Sequence, residues 1–358
     1  MKLLFLHGAI KNAGDFLISK RSQQLVKSIV KDCELMVFWE GTNFNLPKNK
    51  IYLSECDGII FGGGPFFTNN IHPHDVPLIN DLHTLDKPMI NIGGGWFGID
   101  DRYSSIKEYK MNKESLDLLS CIVESSGCLS CRDWHTVAML KEKGFSSFMH
   151  GCPAWYDLSF IENSEFNYPS TIKSICISDP ANLKNSDLAV LLIKWLRNTF
   201  PSAKISLIYH RDVINTPLFQ YAFNNGIEIT DISGSDDGFT IYDKCDLHIG
   251  FRVHAHIYNL SKRKFSILIE EDGRGSGVNH ALGLNSIKAY AESKYSSYSL
   301  RERERVEDYK TNNYLCHEIS NYIDKINSSE GLEYVQAFER MQLYFEKIKK
   351  HVNIINSW

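Results

Sequence analysis

The chain has 358 residues, a length that suits two domains of about 150 residues each. It is 43% hydrophobic and 23% charged, near the averages of soluble globular proteins, which excludes a disordered or collagen-like chain. With 39 Lys plus Arg against 43 Asp plus Glu the formal net charge is -4, so no nucleic-acid partner is expected, and no apolar run approaches the length of about 18 that a membrane span needs.

Lys2–His7 is a continuous apolar run ended by Gly8, the pattern of a strand buried on both faces. It lacks the form of a secretion signal, which predicts a cytoplasmic protein. A helix is expected over about Asp15–Lys31, then strands at Leu35–Trp39, Asp57–Phe61 and Lys87–Ile92. The last two are stopped by Gly62-Gly63-Gly64-Pro65 and by Gly93-Gly94-Gly95. A fifth strand, Gly127–Cys131, leads into a helix over Asp133–Lys143.

The pattern restarts after the polar stretch Glu162–Ser170. Strands are expected at Ile172–Ile177, Lys204–Tyr209, Ile227–Thr230, Leu247–Ile249 and Phe265–Ile269, with a helix over Leu188–Phe200. Arg301–Arg305 reads as a solvated helix start. About Thr311–Ile355 is mostly helix, with an apolar stripe that packs on a domain face. Apolar strands alternating with helices make parallel βαβ units. The expected architecture is therefore α/β, with two Rossmann-like domains facing a central cleft. Residues 1–165 form the first, 166–310 the second, and 311–358 a helical tail packing back on them.

The nine Cys are odd in number and scattered. Cys128-Leu129-Ser130-Cys131 has the C-x-x-C form, but no second Cys/His pair follows at a zinc spacing and the pair lies in a strand. Free thiols in a reducing compartment and no metal site are expected.

In doubly wound sheets ligands bind at the carboxyl ends of strands. Asn12 and Asp15 follow the first strand, where a helix cap and a ligand contact are equally good readings. The two triple-glycine turns suit loops that receive anions, although neither has the G-x-G-x-x-G or P-loop form. Arg132 ends the fifth strand and can aim a planar donor fork into the cleft or pair with Asp133. Cys245–His256 is the most informative stretch. A strand reaches Gly250, and Arg252 and His254 stand at the next helix N-terminus, where both can face an anion. A histidine there can exchange protons near neutral pH. His256 reads better as a buried structural histidine, and His248, His254 and His256 straddle a turn that opposes a shared zinc. Glu270–Gly275 supplies carboxylates, another arginine and a flexible turn at the same sheet edge, read either as a solvated loop or as a site where Glu271 bonds sugar hydroxyls.

In this order, Asn12-x-Gly14-Asp15, Gly62-Gly63-Gly64-Pro65, Gly93-Gly94-Gly95, Ser130-x-Arg132-Asp133, Cys152-Pro153-Ala154 and Gly250-x-Arg252-x-His254 resemble the polysaccharide pyruvyl transferase family. The likeness spans about residues 1–310. The family's Asp-Pro-Ala reads Cys152-Pro153-Ala154 here, and its Arg-Leu-His reads Arg252-Val253-His254. The resemblance implies a GT-B-like fold and transfer of the pyruvyl group of phosphoenolpyruvate onto two hydroxyls of a sugar, making a pyruvate ketal in a surface polysaccharide or glycan precursor. Phosphoenolpyruvate is then a co-substrate, with no cofactor and no metal.

On that reading His254 is the general acid/base and Arg252 and Arg132 stabilise charge. Arg132, Arg252, Val253, His254, Gly93, Gly94 and Gly95 hold the donor. Asn12, Asp15, Gly63, Gly64, Trp96 and Glu271 face the acceptor, with Trp96 or Trp155 stacking on a sugar ring. A lipid-linked acceptor implies transient membrane contact. Two competing readings are a GT-B nucleotide-sugar glycosyltransferase, with Glu271 or Asp272 on the nucleotide, and a non-catalytic carbohydrate-binding protein.

Overall fold

The computed structural model describes residues 1–96, 102–163, 165–166, 168–295 and 306–358. The expected helix start at Arg301–Arg305 lies outside the described residues.

The first half carries β1 (Lys2–His7), β2 (Glu34–Trp39), β3 (Gly58–Phe61), β4 (Gly64–Phe67), β5 (Met89–Asn91), β6 (Gly94–Trp96), β7 (Leu129–Cys131) and β8 (Ser147–Met149). Its helices are α1 (Ala13–Ile29), α2 (Pro47–Glu55), α3 (Tyr103–Glu108), α4 (Lys113–Ser126) and α5 (Trp134–Glu142). Leu3–Leu6 and Ile59–Phe61 are buried, as strands covered on both faces should be.

The strands form two parallel sheets, ordered β2-β1-β3-β5 and β4-β6-β7-β8. The triple-glycine turns are where one sheet hands over to the other. They do not simply stop strands, as the sequence reading expected. Gly63 has φ +89° and Gly93 φ +58°, so the chain bends there as other residues resist doing. The bend is pinned from beside: Ser130 Oγ accepts from Gly93 N at 2.8 Å. Asn91 exchanges two hydrogen bonds with the Ser130 backbone, at 2.7 and 3.0 Å.

The second half is one parallel six-stranded sheet, β11-β10-β9-β12-β13-β14. Its strands are β9 (Ser174–Ser178), β10 (Lys204–Tyr209), β11 (Glu228–Asp231), β12 (Leu247–Gly250), β13 (Ser266–Glu270) and β14 (Ile287–Lys288). Helices α6 (Ser186–Thr199), α7 (Pro217–Asn224), α8 (Val253–Ser261) and α9 (Gly273–Leu282) accompany it. The strand order reverses between β9 and β12, and in the first half between β1 and β3; a crevice opens at such points. Gly273-Arg274-Gly275 opens α9, so the expected flexible turn is a helix start, capped by Asp272 accepting from Arg274 N at 3.0 Å.

An antiparallel hairpin, β15 (Tyr290–Tyr295) and β16 (Val306–Thr311), leads to α10 (Leu315–Ser328) and α11 (Leu332–Val352). The α11 stripe straps both halves. Tyr344 stacks on Trp155 and Phe345 packs on Tyr156 in the first half, while Tyr334 meets Phe265 edge-on in the second. Among the described residues no helix is long and apolar enough to cross a membrane.

Candidate active site

Four helices begin around one narrow cavity between the halves, lined by Asn12, Asp15, Pro65, Arg132, Ala181, His210, Phe251, Arg252, Val253, His254, Glu271, Asp272 and Arg274. Asn12 caps α1, Arg132 precedes the Asp133 cap of α5, Arg252 precedes α8 and Asp272 caps α9. No side chain caps α8. Its first N–H groups have no partner within the helix, and the peptide dipoles add partial positive charge there.

The three arginines differ in what they are bonded to. Arg252 grips Asp179 with Nε, at 2.8 Å, and with Nη2. Arg274 grips Asp272 at 2.9 and 2.6 Å. Arg132 is buried, and its Nε and Nη2 make no hydrogen bond. Its nearest carboxylate is Asp133, 3.5 Å from Nε. A buried guanidinium with bonds unmade favours an arriving anion.

His254 lies directly on the backbone of α1. A Cβ built on Gly14 would stand 2.1 Å from its Nδ1, so residue 14 must be glycine for the imidazole to fit. Its Nε2 is buried with no hydrogen bond. Burial first, then Arg132, Arg274 and Arg252, push its pKa down to about 3, so it is neutral near neutral pH. Glu271 accepts from Ala181 N, Asn182 N and Asn185 Nδ2 at 2.8, 3.0 and 2.6 Å. Burial nevertheless raises it to about 7. Asp15, bonded by Asn12 Nδ2 at 3.2 Å, is also raised by burial.

A larger cavity of about 630 Å³ shares Asn12, Asp15, Pro65 and Arg274 with the narrow one. Trp39, Glu40, Thr68, His74, Asp75 and Arg211 line it further out. Trp39 is 45% exposed and lies over Gly41, where a Cβ would come within 2.4 Å of the indole. Burial first, then Asp75 and Asp15, raise Glu40 to about 8.

Beneath the cavity runs a buried polar chain. Arg252 N donates to Ser178 Oγ at 3.0 Å, which meets His248 Nε2 at 3.0 Å. His248 Nδ1 meets Ser266 Oγ at 2.7 Å, and Ser266 Oγ meets His256 Nδ1 at 2.8 Å. His248 and His256 are thus scaffold beneath the cavity.

Of the residues singled out in the sequence, Asn12, Asp15, Arg132, Arg252, Val253, His254 and Glu271 line the narrow cavity. Gly63, Gly64, Gly93, Gly94 and Gly95 do not. They shape the strand bends, and Gly95 seats Arg132: a Cβ there would lie 2.0 Å from Arg132 Nε. Trp96 and Trp155 are 3% and 0% exposed, so neither can stack on a sugar. Trp96 packs edge-on to Tyr109 and Trp155 on Tyr344 because both sit on core-facing backbone. The exposed indole on this side is Trp39. Arg274, read with Glu270–Gly275 as another arginine at the same sheet edge, also lines the narrow cavity. Asp179, His210 and Glu40 were missed, although they stand directly after β9, β10 and β2, where the strand-end rule would have found them.

A family model for polysaccharide pyruvyl transferase matches residues 12–272, which includes every residue of the narrow cavity except Arg274. The chain belongs to the polysaccharide pyruvyl transferase family. It is a family of transferases acting on polysaccharide. No curated protein matches the chain. Among solved structures, a UDP-N-acetylglucosamine 2-epimerase is 9% identical with a TM-score of 0.51, covering 98% of this chain and 94% of that one. A putative UDP-N-acetylglucosamine 2-epimerase from Listeria monocytogenes is 10% identical with a TM-score of 0.50, covering 96% and 90%. The fold of this pyruvyl transferase family member is accordingly GT-B-like, two parallel α/β halves around a cleft.

Proposed function

We propose that the protein transfers a pyruvyl group from phosphoenolpyruvate to two hydroxyls of a sugar. The observation that carries this is the buried Arg132 guanidinium, whose Nε and Nη2 make no hydrogen bond, beside Arg252, Arg274, His254 and the uncapped start of α8. Such a cluster suits a small ligand bearing a phosphate and a carboxylate. The donor occupies the narrow cavity, and the sugar enters the larger one against Trp39.

The donor methylene gains a proton, which makes C2 electron-poor. One sugar hydroxyl attacks C2 and loses its proton to a carboxylate, and the C–O bond to phosphate breaks. The second hydroxyl then closes the ketal on C2, its proton leaving with the released phosphate. His254 carries the proton to the methylene. Held neutral by burial and the three arginines, it gains its proton as the donor's negative charge offsets them. Arg132 and Arg252 stabilise the departing phosphate. Asp15 belongs to both cavities and receives the hydroxyl proton, its raised pKa making it a stronger base. Glu40, protonated at neutral pH, donates a hydrogen bond to the acceptor.

The test is phosphate release from phosphoenolpyruvate across a panel of sugar acceptors, with mass spectrometry of the product. A ketal product supports the reading. Consumption of a UDP-sugar in place of phosphoenolpyruvate, or glycan binding with no phosphate released, overturns it.

A further inference from the structure

Away from the cleft, Cys128, His150 and His351 each bring a ligand atom within 4.8 Å of the others. Cys128 precedes β7, His150 follows β8, and His351 sits in the last turn of α11. The two histidines are 7% and 4% exposed. Together they form one wall of a cavity of about 500 Å³.

We propose that this cluster is a metal site for a borderline-soft divalent cation, with zinc as the fitting probe. The first support is geometric. Cys128 Sγ stands 3.7 Å from His351 Nδ1. Zinc–sulfur and zinc–nitrogen bonds of about 2.3 and 2.0 Å at a tetrahedral angle put the two ligand atoms about 3.5 Å apart. The second is orientation. His351 Nε2 lies 3.0 Å from the Asn91 carbonyl oxygen, which can only accept. Nε2 therefore holds the hydrogen, and Nδ1 keeps its lone pair toward the thiol, the arrangement by which a backbone carbonyl fixes a metal-binding imidazole. The third is an unmet need. His150 Nδ1 is buried and makes no hydrogen bond. Bringing that nitrogen to the other two closes the set around a metal, and the adjoining cavity leaves a fourth position for water.

The donor set also selects the metal. One thiolate and two imidazoles suit zinc or copper(I) and reject magnesium or calcium, which require oxygen ligands. Exposed Lys347 and Lys350 at the cavity rim add no attraction for a cation, so binding rests on ligand chemistry. Cys131, the other half of the C-x-x-C, takes no part: it is fully buried and its Sγ faces Leu129 O. The cluster joins α11 to the first half of the chain, so a bound metal clips the strap to β7 and β8. It stands close to the cleft scaffold, since Asn91 also holds Ser130, two residues before Arg132.

The experiment takes the full chain, treated with chelator, and adds zinc. Expected are one zinc per chain, a melting temperature that climbs with zinc and not with magnesium, and a thiolate-to-metal charge-transfer band when cobalt(II) replaces zinc. Cys128→Ser should abolish the cobalt band, and His351→Gln should weaken zinc binding by at least about tenfold. Cys33→Ser, remote from the cluster, should keep all three signals. Far-ultraviolet circular dichroism checks each variant. If Cys128→Ser misfolds, His351→Gln and His150→Gln decide alone. Zinc affinity unchanged in the folded variants, or no thiolate band in the parent, overturns the proposal.

Discussion

Replacing Arg132 by Met separates a group kept for a ligand from one kept for the fold. The guanidinium is buried, and its Nε and Nη2 make no hydrogen bond. Two charge-assisted hydrogen bonds to a bound anion contribute about 1.5–3 kcal/mol each. Arg132→Met should therefore raise the Kd for phosphoenolpyruvate by about 10²–10⁴. The same change removes a buried charge whose nearest partner is Asp133 at 3.5 Å. Breaking a well-made buried ion pair destabilises, whereas exchanging a poorly satisfied charge for an apolar side chain is neutral or stabilising by about 1–4 kcal/mol. The empty variant should melt at or above the parent's temperature. Asp133 does not unravel with it, because its Oδ1 still accepts from Thr136 N at 2.7 Å. Isothermal titration calorimetry reads the first effect and a thermal melt the second. Gly95→Ala gives an independent check, since its Cβ would displace Arg132 Nε from 2.0 Å while leaving the charge in place. An Arg132→Met variant that binds the donor as the parent does, or that melts well below it, would refute the assignment.

His254→Ala should abolish turnover with the fold intact, as judged by phosphate release and circular dichroism. Gly14→Ala should slow turnover by about 10²–10⁴ by driving the imidazole off α1, at about 1–3 kcal/mol of stability; adding His254→Ala should restore the stability and not the activity. Donor binding near neutral pH should take up protons, because the incoming negative charge raises His254 from about 3 and Glu271 from about 7; calorimetry in buffers of different ionisation enthalpy measures the uptake. Glu40 is raised in the folded state, so its contribution to stability is complete below its ordinary 4.5 and is lost as pH climbs through about 8. Urea unfolding of Glu40→Gln should show a flatter pH dependence across that window.

Much of the fold was legible because parallel strands buried on both faces leave unbroken apolar runs. Lys204–Tyr209 is a strand to the residue, and Leu35–Trp39 differs from the observed strand by one position. The strands β4 and β6 were hidden because each opens on glycine, which carries no periodicity. The cavity's arginines and His254 were legible through one rule about strand ends. Their relations were not. That Gly14 makes room for His254, or that Asp179 holds Arg252, depends on residues hundreds or tens of positions apart meeting across a cleft. Trp96, Trp155 and Trp39 look alike in sequence, and only packing decides that the first two are core and the third is exposed.

The hydroxyl–imidazole chain under α8 ties two rings to one shared hydroxyl. The Arg252 amide can only give a hydrogen, so Ser178 Oγ accepts it, and the hydroxyl also meets His248 Nε2. His248 Nδ1 and His256 Nδ1 both face Ser266 Oγ, which has one hydrogen to give. The ring that takes it carries its own hydrogen on Nε2 and the other ring carries its hydrogen on Nδ1, a pattern that nitrogen-15 chemical shifts would display as two unlike neutral imidazoles under one helix.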